Sequence, residues 1–194
     1  MLDKLRKQLY KKEDGSASMV VTFIAMFAII FIIITGFMLS SAQLMTHQHE
    51  IDDALADSCL ASLVVDHEYY YNTGETTGTY VARLANVNNS YSLYKECFET
   101  AIANGYDGFF KNIAYTTTIF YEVEGSDITI TTFSDNGARS VTHGSVGNVY
   151  TPGGGYVNKT SCYAKVDFDI STFFVTEITE RKSRDIYCTI KIDR

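Results

Sequence analysis

Tryptophan is absent and proline occurs once, at Pro152, so Pro-rich linkers are excluded. No Lys or Arg lies between Met19 and Arg83. The four cysteines (Cys59, Cys97, Cys162, Cys188) are scattered, with no C-x-x-C pair of the kind that structural zinc requires. The glycine-rich stretch 144–155 lacks the Gly-Lys-Ser/Thr ending of a phosphate loop, and no G-x-S-x-G elbow occurs. No nucleophile and base stand at a recognisable spacing. These absences predict a chain with no catalytic residues, no metal site and no cofactor. His47 and His49 point about 200° apart on a helix and cannot share one ion. His49 and Asp53, four apart, could hold one loosely, but a solvated polar collar is the simpler reading. The net charge of −7 disfavours nucleic acid, whose binding rests on Lys and Arg displacing counterions.

The chain does have one long hydrophobic run. Met19–Leu39 holds 21 residues without a charge. At 1.5 Å per residue it spans roughly 30 Å, the thickness of a bilayer core. Five basic residues (Lys4, Arg6, Lys7, Lys11, Lys12) precede it, and the next one comes only at Arg83. The bias of Lys and Arg toward the cytoplasmic side predicts a cytoplasmic N-terminus and an extracytoplasmic body. Ser40-Ser41-Ala42 also offers a signal-peptidase site before Gln43, although the apolar run and charged leader are long for a signal peptide.

The apolar pattern continues beyond the run. Ile51, Leu55, Cys59 and Leu63 recur every four residues, which predicts an amphipathic stem helix whose stripe must be covered. We read residues 1–15 as a basic leader, 16–40 as the transmembrane helix, 41–71 as the stem and 72–194 as an extracytoplasmic domain. Within that domain 72–78 reads as a loop. A helix is predicted over Ser90–Ala103, with Tyr94, Cys97, Phe98, Ala101 and Ile102 on one face and Gly105 as its stop. Strands are predicted over Tyr115–Glu124 and Asp127–Phe133 around Gly125-Ser126, with 134–155 as a long surface loop. Cys162, Ala164, Val166, Phe168 and Ile170 alternate with polar residues, as do Ile186, Cys188, Ile190 and Ile192. Such alternation predicts an antiparallel sheet with one packed and one wet face. The fold class is α+β: a stem helix, a short helix and four or five strands.

An even cysteine count in an exported domain permits two disulfides in three connectivities. The apolar faces favour Cys162–Cys188 between neighbouring strands and Cys59–Cys97 between the helices; four buried free thiols are the alternative. Asn88-Asn89-Ser90 and Asn158-Lys159-Thr160 fit the glycosylation pattern, which matters only in a eukaryotic source.

Lys11-Lys12-Glu13-Asp14-Gly15-Ser16, followed at once by the hydrophobic helix, resembles the start of a type IV pilin-like protein. It is most similar to the TadE/TadG-like pseudopilins of tight-adherence machinery, over about residues 4–45. The resemblance implies a pilin-like fold and cleavage between Gly15 and Ser16 by a prepilin peptidase at the cytoplasmic face. It also implies partners among other pilin-like subunits and an assembly platform. Members of the group usually carry glutamate five residues after the glycine, and here that position is Val20. The departure implies a minor, tip or initiating subunit rather than a major pilin. The alternative is a plain membrane-tethered binding module, with Tyr150 and Tyr156 presented on the 134–155 loop.

Overall fold

The structure, a computed structural model, describes residues 2–105, 110–172 and 175–190, with side chains over 18–103, 110–170 and 180–190. The chain forms α1 (Leu2–Ser62), α2 (His67–Thr77), α3 (Val87–Gly105) and strands β1 (Phe110–Glu124), β2 (Asp127–Ser134), β3 (Arg139–Ser145), β4 (Ser161–Thr172) and β5 (Val175–Thr189). It divides into two compact units, residues 1–46 and residues 47–194.

In the second unit all five strands join one antiparallel sheet in the order β3-β2-β1-β4-β5. Gly125, at φ 63°, closes the β1–β2 hairpin with Glu124 opposite Asp127. The backbone there is left-handed, which glycine adopts without a Cβ clash.

One face of the sheet carries Phe120, Phe133, Cys162, Ala164, Val166, Phe168 and Ile170, all buried. The C-terminal part of α1 and the apolar side of α3 cover this face. Tyr91 of α3 stacks on Phe133 with ring centroids 4.2 Å apart, and Cys59 of α1 meets Cys162. The predicted stripe Ile51–Leu55–Cys59–Leu63 is buried throughout, as are Tyr94 and Phe98. The α+β class, with a long N-terminal apolar helix packed on an antiparallel sheet, is therefore the observed architecture.

Four expectations need correction. The stem helix stops at Ser62, short of residue 71. There Leu63 N–H closes a tight turn on the Leu60 carbonyl, and the chain pairs back with residues 83–85 through Asp66 N–H to Arg83 O (2.9 Å) and Ala85 N–H to Val64 O (3.0 Å). Residues 72–78 are not a loop: all but Gly78 belong to α2. Asp66 caps this helix by accepting the Tyr69 N–H, and Gly78 ends it in the left-handed conformation. Gly74 interrupts the composition of the helix for a packing reason, since a Cβ there would fall 2.1 Å from the Tyr80 ring.

The supposed surface loop 134–155 contains β3. Beyond β3, residues 149–157 fold back across the second face of the sheet. Val149 and Val157 bury themselves against Ile119, Tyr121, Ile128 and Tyr163, so that face is not uniformly wet. Gly144 permits the close approach, because a Cβ at this position would stand 2.4 Å from Val149 Cγ2. Finally, β5 begins at Val175, well before Ile186; Ile190 lies just past its end, and Ile192 lies outside the described residues.

Candidate functional site

Among the described residues, the apolar part of α1 is unlike any other surface. Phe31, Ile32, Ile33 and Ile34 follow one another at about 100° around the helix, and their exposures are 72%, 69%, 62% and 52%. The helix is therefore apolar on every side, an arrangement that water penalises and hydrocarbon does not. Two of its hydroxyls do not spoil this. Thr22 Oγ1 donates to Ser18 O at 2.9 Å and Ser41 Oγ to Phe37 O at 3.0 Å, so these two protons are satisfied within the helix, whereas Ser40 Oγ has no partner. Among the described residues this is the one helix long and apolar enough to cross a membrane, and none of its most apolar window is buried. That is compatible with single-pass anchoring. Gly15 and Ser16 fall within the helical range of α1, and Val20 is exposed.

The second unit shows how the same helix changes character. Over 47–62 its inward side is packed and its outward side carries His49, Asp53 and Asp57 before ending in Leu60 and Ala61. Ser58 and Ser62 are buried, and they return their hydroxyls to Ala54 O and Cys59 O, each at 2.6 Å. Asp52 reaches Arg184 of β5 at 3.6 Å. His47 pairs with Glu50 at 2.8 Å and meets the Phe110 ring edge-on, whereas His49 is exposed. The two histidines thus face different surroundings. Among the described residues no group of three or more His, Cys, Asp or Glu side chains is arranged to hold a metal ion.

All four cysteines are free thiols. Cys162 and Cys188 are register partners on β4 and β5, as the alternation predicts. Cys59 is not directed at Cys97: its sulfur lies 3.6 Å from Cys162 Sγ. Cys188 Sγ points at the Ala56 carbonyl of α1, 3.8 Å away. The hydrogen bond with Cys162, together with burial, pushes the Cys59 thiol far up; the hydrogen bond with Cys59 and burial do the same to Cys188. Period-four and period-two patterns placed each cysteine on a buried face, but neither pattern says which faces meet.

Tyr150 and Tyr156 sit at the neck of a tight turn. They form an isolated antiparallel bridge, with ring centroids 5.7 Å apart. Thr151 braces the turn, its N–H donating to Gly155 O (2.7 Å) and its Oγ1 accepting the Gly155 N–H (2.9 Å). With Val149 and Val157 buried on either side, the two exposed tyrosines are held on a rigid base.

Two further features were not legible in the sequence. Arg83 lies over the Tyr69 ring at 3.9 Å and pairs with Asp66 at 3.0 Å, while the Tyr69 hydroxyl reaches Glu124. This cluster ties α2 to the β1–β2 hairpin. The Tyr69 N–H and then Arg83 hold the Asp66 carboxyl below the ordinary aspartate range. Glu122 accepts the Leu84 N–H at 3.1 Å, and burial raises its pKa. Nearby, Tyr70, Tyr80, Asn158 and Lys159 line an open cleft of about 400 Å³. The Tyr69-Tyr70-Tyr71 run was its only sequence signal.

No protein-family model, no curated protein and no solved structure matches this chain.

Proposed function

We propose that the chain is a non-enzymatic, membrane-anchored, pilin-like minor subunit of a tight-adherence or type IV pilus-like assembly or secretion system. The observation that carries this reading is the two-part character of α1. It is apolar on every side over the span and one-sided over 47–62, where the sheet covers it. A helix of this kind serves as anchor at one end and as structural member of a domain at the other. The charged leader ending at Gly15-Ser16 adds a processing site at the expected place. With Val20 in place of the usual glutamate, the chain lacks the carboxylate expected to neutralise a neighbour's new N-terminal amine, which favours a minor or initiating role. The N-terminus is assigned to the cytoplasm, and the sheet domain to the outer face of the cell membrane or a surface filament. Its partners are the membrane, other pilin-like subunits, the assembly platform and the prepilin peptidase.

N-terminal sequencing of the mature protein tests this reading. A start at Ser16, abolished by Gly15→Ala, supports prepilin-type processing. A start at Gln43 removes the anchor and sinks the assembly reading, and an intact Met1 leaves a plain tether.

One observation favours a second reading, a tethered binding module: the exposed Tyr150–Tyr156 pair on its braced turn. Replacing both tyrosines by serine separates the two. Assembly through α1 is indifferent to that change, whereas surface binding through the loop is lost.

A further inference from the structure

Three buried thiols supplied by three elements meet where the stem lies on the sheet: Cys59 of α1, Cys162 of β4 and Cys188 of β5. We propose that Cys59 and Cys162 are oxidised to a disulfide in the mature protein, fastening the stem helix covalently to the sheet.

Cys59 lies within hydrogen-bond reach of both Cys162 and Cys188, but Cys188 donates its thiol to the Ala56 carbonyl, which leaves Cys162 as the partner. The Cys59 and Cys162 sulfurs are 3.6 Å apart, so closure to a bond of about 2.05 Å needs an approach of only about 1.5 Å. The strand partners Cys162 and Cys188 are less favourably placed. Ile190 N–H donates to Thr160 O, which makes 160/190 a hydrogen-bonded pair of the ladder. Antiparallel pairs alternate in type, so 162/188 is hydrogen-bonded as well. In pairs of that type the side chains stand farther apart than in the alternate, non-hydrogen-bonded pairs. Cys188 instead directs its thiol at the Ala56 carbonyl. Cys97 is excluded because Cys59 is already directed at Cys162.

The chemistry is a two-electron thiol–disulfide exchange with a small-molecule or protein disulfide as oxidant. One protein thiolate attacks a sulfur of the oxidant, giving a mixed disulfide and releasing one thiol. The second thiolate then displaces the remaining half as its thiol. Two protein thiols lose two protons and two electrons, and the oxidant is reduced to two thiols. Its raised pKa makes the docked Cys59 thiol a poor nucleophile and burial keeps the oxidant from both sulfurs, so the bond forms before the helix has settled on the sheet or when it opens. Once closed, it ties together positions 103 residues apart, and burial shields it from reductants. Such a link resists force applied to the sheet domain through α1. The physiological part of the inference rests on the extracytoplasmic assignment above, since disulfides persist outside the reducing cytosol.

The test uses the full chain in detergent, reduced and then reoxidised in a glutathione redox buffer with sub-denaturing urea. Trypsin cuts after Lys159 and Lys165, which isolates Cys162 on residues 160–165 for mass spectrometry. The expected result is that peptide joined to the one bearing Cys59, lighter by two hydrogens than the reduced pair, with two of the four thiols lost. The Cys97→Ser/Cys188→Ser variant must form the same bond. Four free thiols in the folded chain, or a dominant link of any other pairing, would overturn the proposal. Because oxidation is carried out on purified protein, its failure leaves the anchor reading standing, and a wrong mature N-terminus leaves the cysteine result intact.

Discussion

Leu55→Ala probes the docking of the stem on the sheet. Leu55 is fully buried on the inner side of α1, and its shortening removes three carbons. At about 0.8 kcal/mol per buried methylene the transfer loss is about 2.4 kcal/mol. An incompletely collapsed cavity adds to it, so the expected destabilisation is about 2–4 kcal/mol. Helix propensity does not confound the result, because alanine is at least as good a helix former as leucine. Leu60→Ala is the matched control, since Leu60 lies on the opposite side and is 52% exposed; its effect should stay within about 0.5 kcal/mol. Urea unfolding of the full chain in detergent, followed by near-ultraviolet circular dichroism of the 14 tyrosines, reads the difference without interference from tryptophan. With a urea slope of about 2 kcal/mol/M, the midpoint should fall by about 1–2 M in Leu55→Ala. Equal midpoints for the two variants would refute the docked stem.

Other outcomes follow from particular contacts. Gly144→Ala should cost about 1–3 kcal/mol by forcing Val149 off the sheet, and a second change, Val149→Ala, should recover much of it in a double-mutant cycle. Asp66→Ala removes the cap of α2 and the Arg83 partner, and should increase hydrogen exchange across 67–77 ahead of global unfolding. Hydrogen bonds from Tyr69 N–H, Ser183 and Asn112 hold Asp66, Asp167 and Asp169 respectively below the ordinary value of 3.8. The folded state then binds fewer protons than the unfolded chain. The stability they give is present above pH 3.8 and is lost as pH falls through the depressed folded values. Glu122 has the opposite sign: burial raises its pKa above 4.5, so its protonation as pH falls favours the fold. Below the range in which Glu122 takes up its proton only the three aspartates act, so the urea midpoint should drop as pH falls below about 4, less steeply in Asp167→Asn.

What was legible follows from where a single periodicity governs. The α1 stripe and the β4 alternation each oppose one surface, so Ile51, Leu55, Phe168 and Ile170 could be assigned to the core directly. α2 was missed because Gly74, a turn signal by composition, serves here to admit the Tyr80 ring. β3 is an exposed edge strand rich in small polar residues, and the first half of β5 is charged (Glu177, Glu180, Arg181, Lys182). Edge strands carry such residues to avoid pairing with other chains, which erases their alternation. The meeting of Cys59 with Cys162 depends on how the helix crosses the sheet, and no local spacing records that angle.

Protease added outside intact cells tests the central claim most directly. In the uncleaved Gly15→Ala chain, with the helix across the membrane and its N-terminus inside, the sheet domain should be degraded while a tag before Met1 survives until detergent opens the membrane. A sheet domain protected until lysis, or a full-length chain recovered in the soluble fraction, would contradict it.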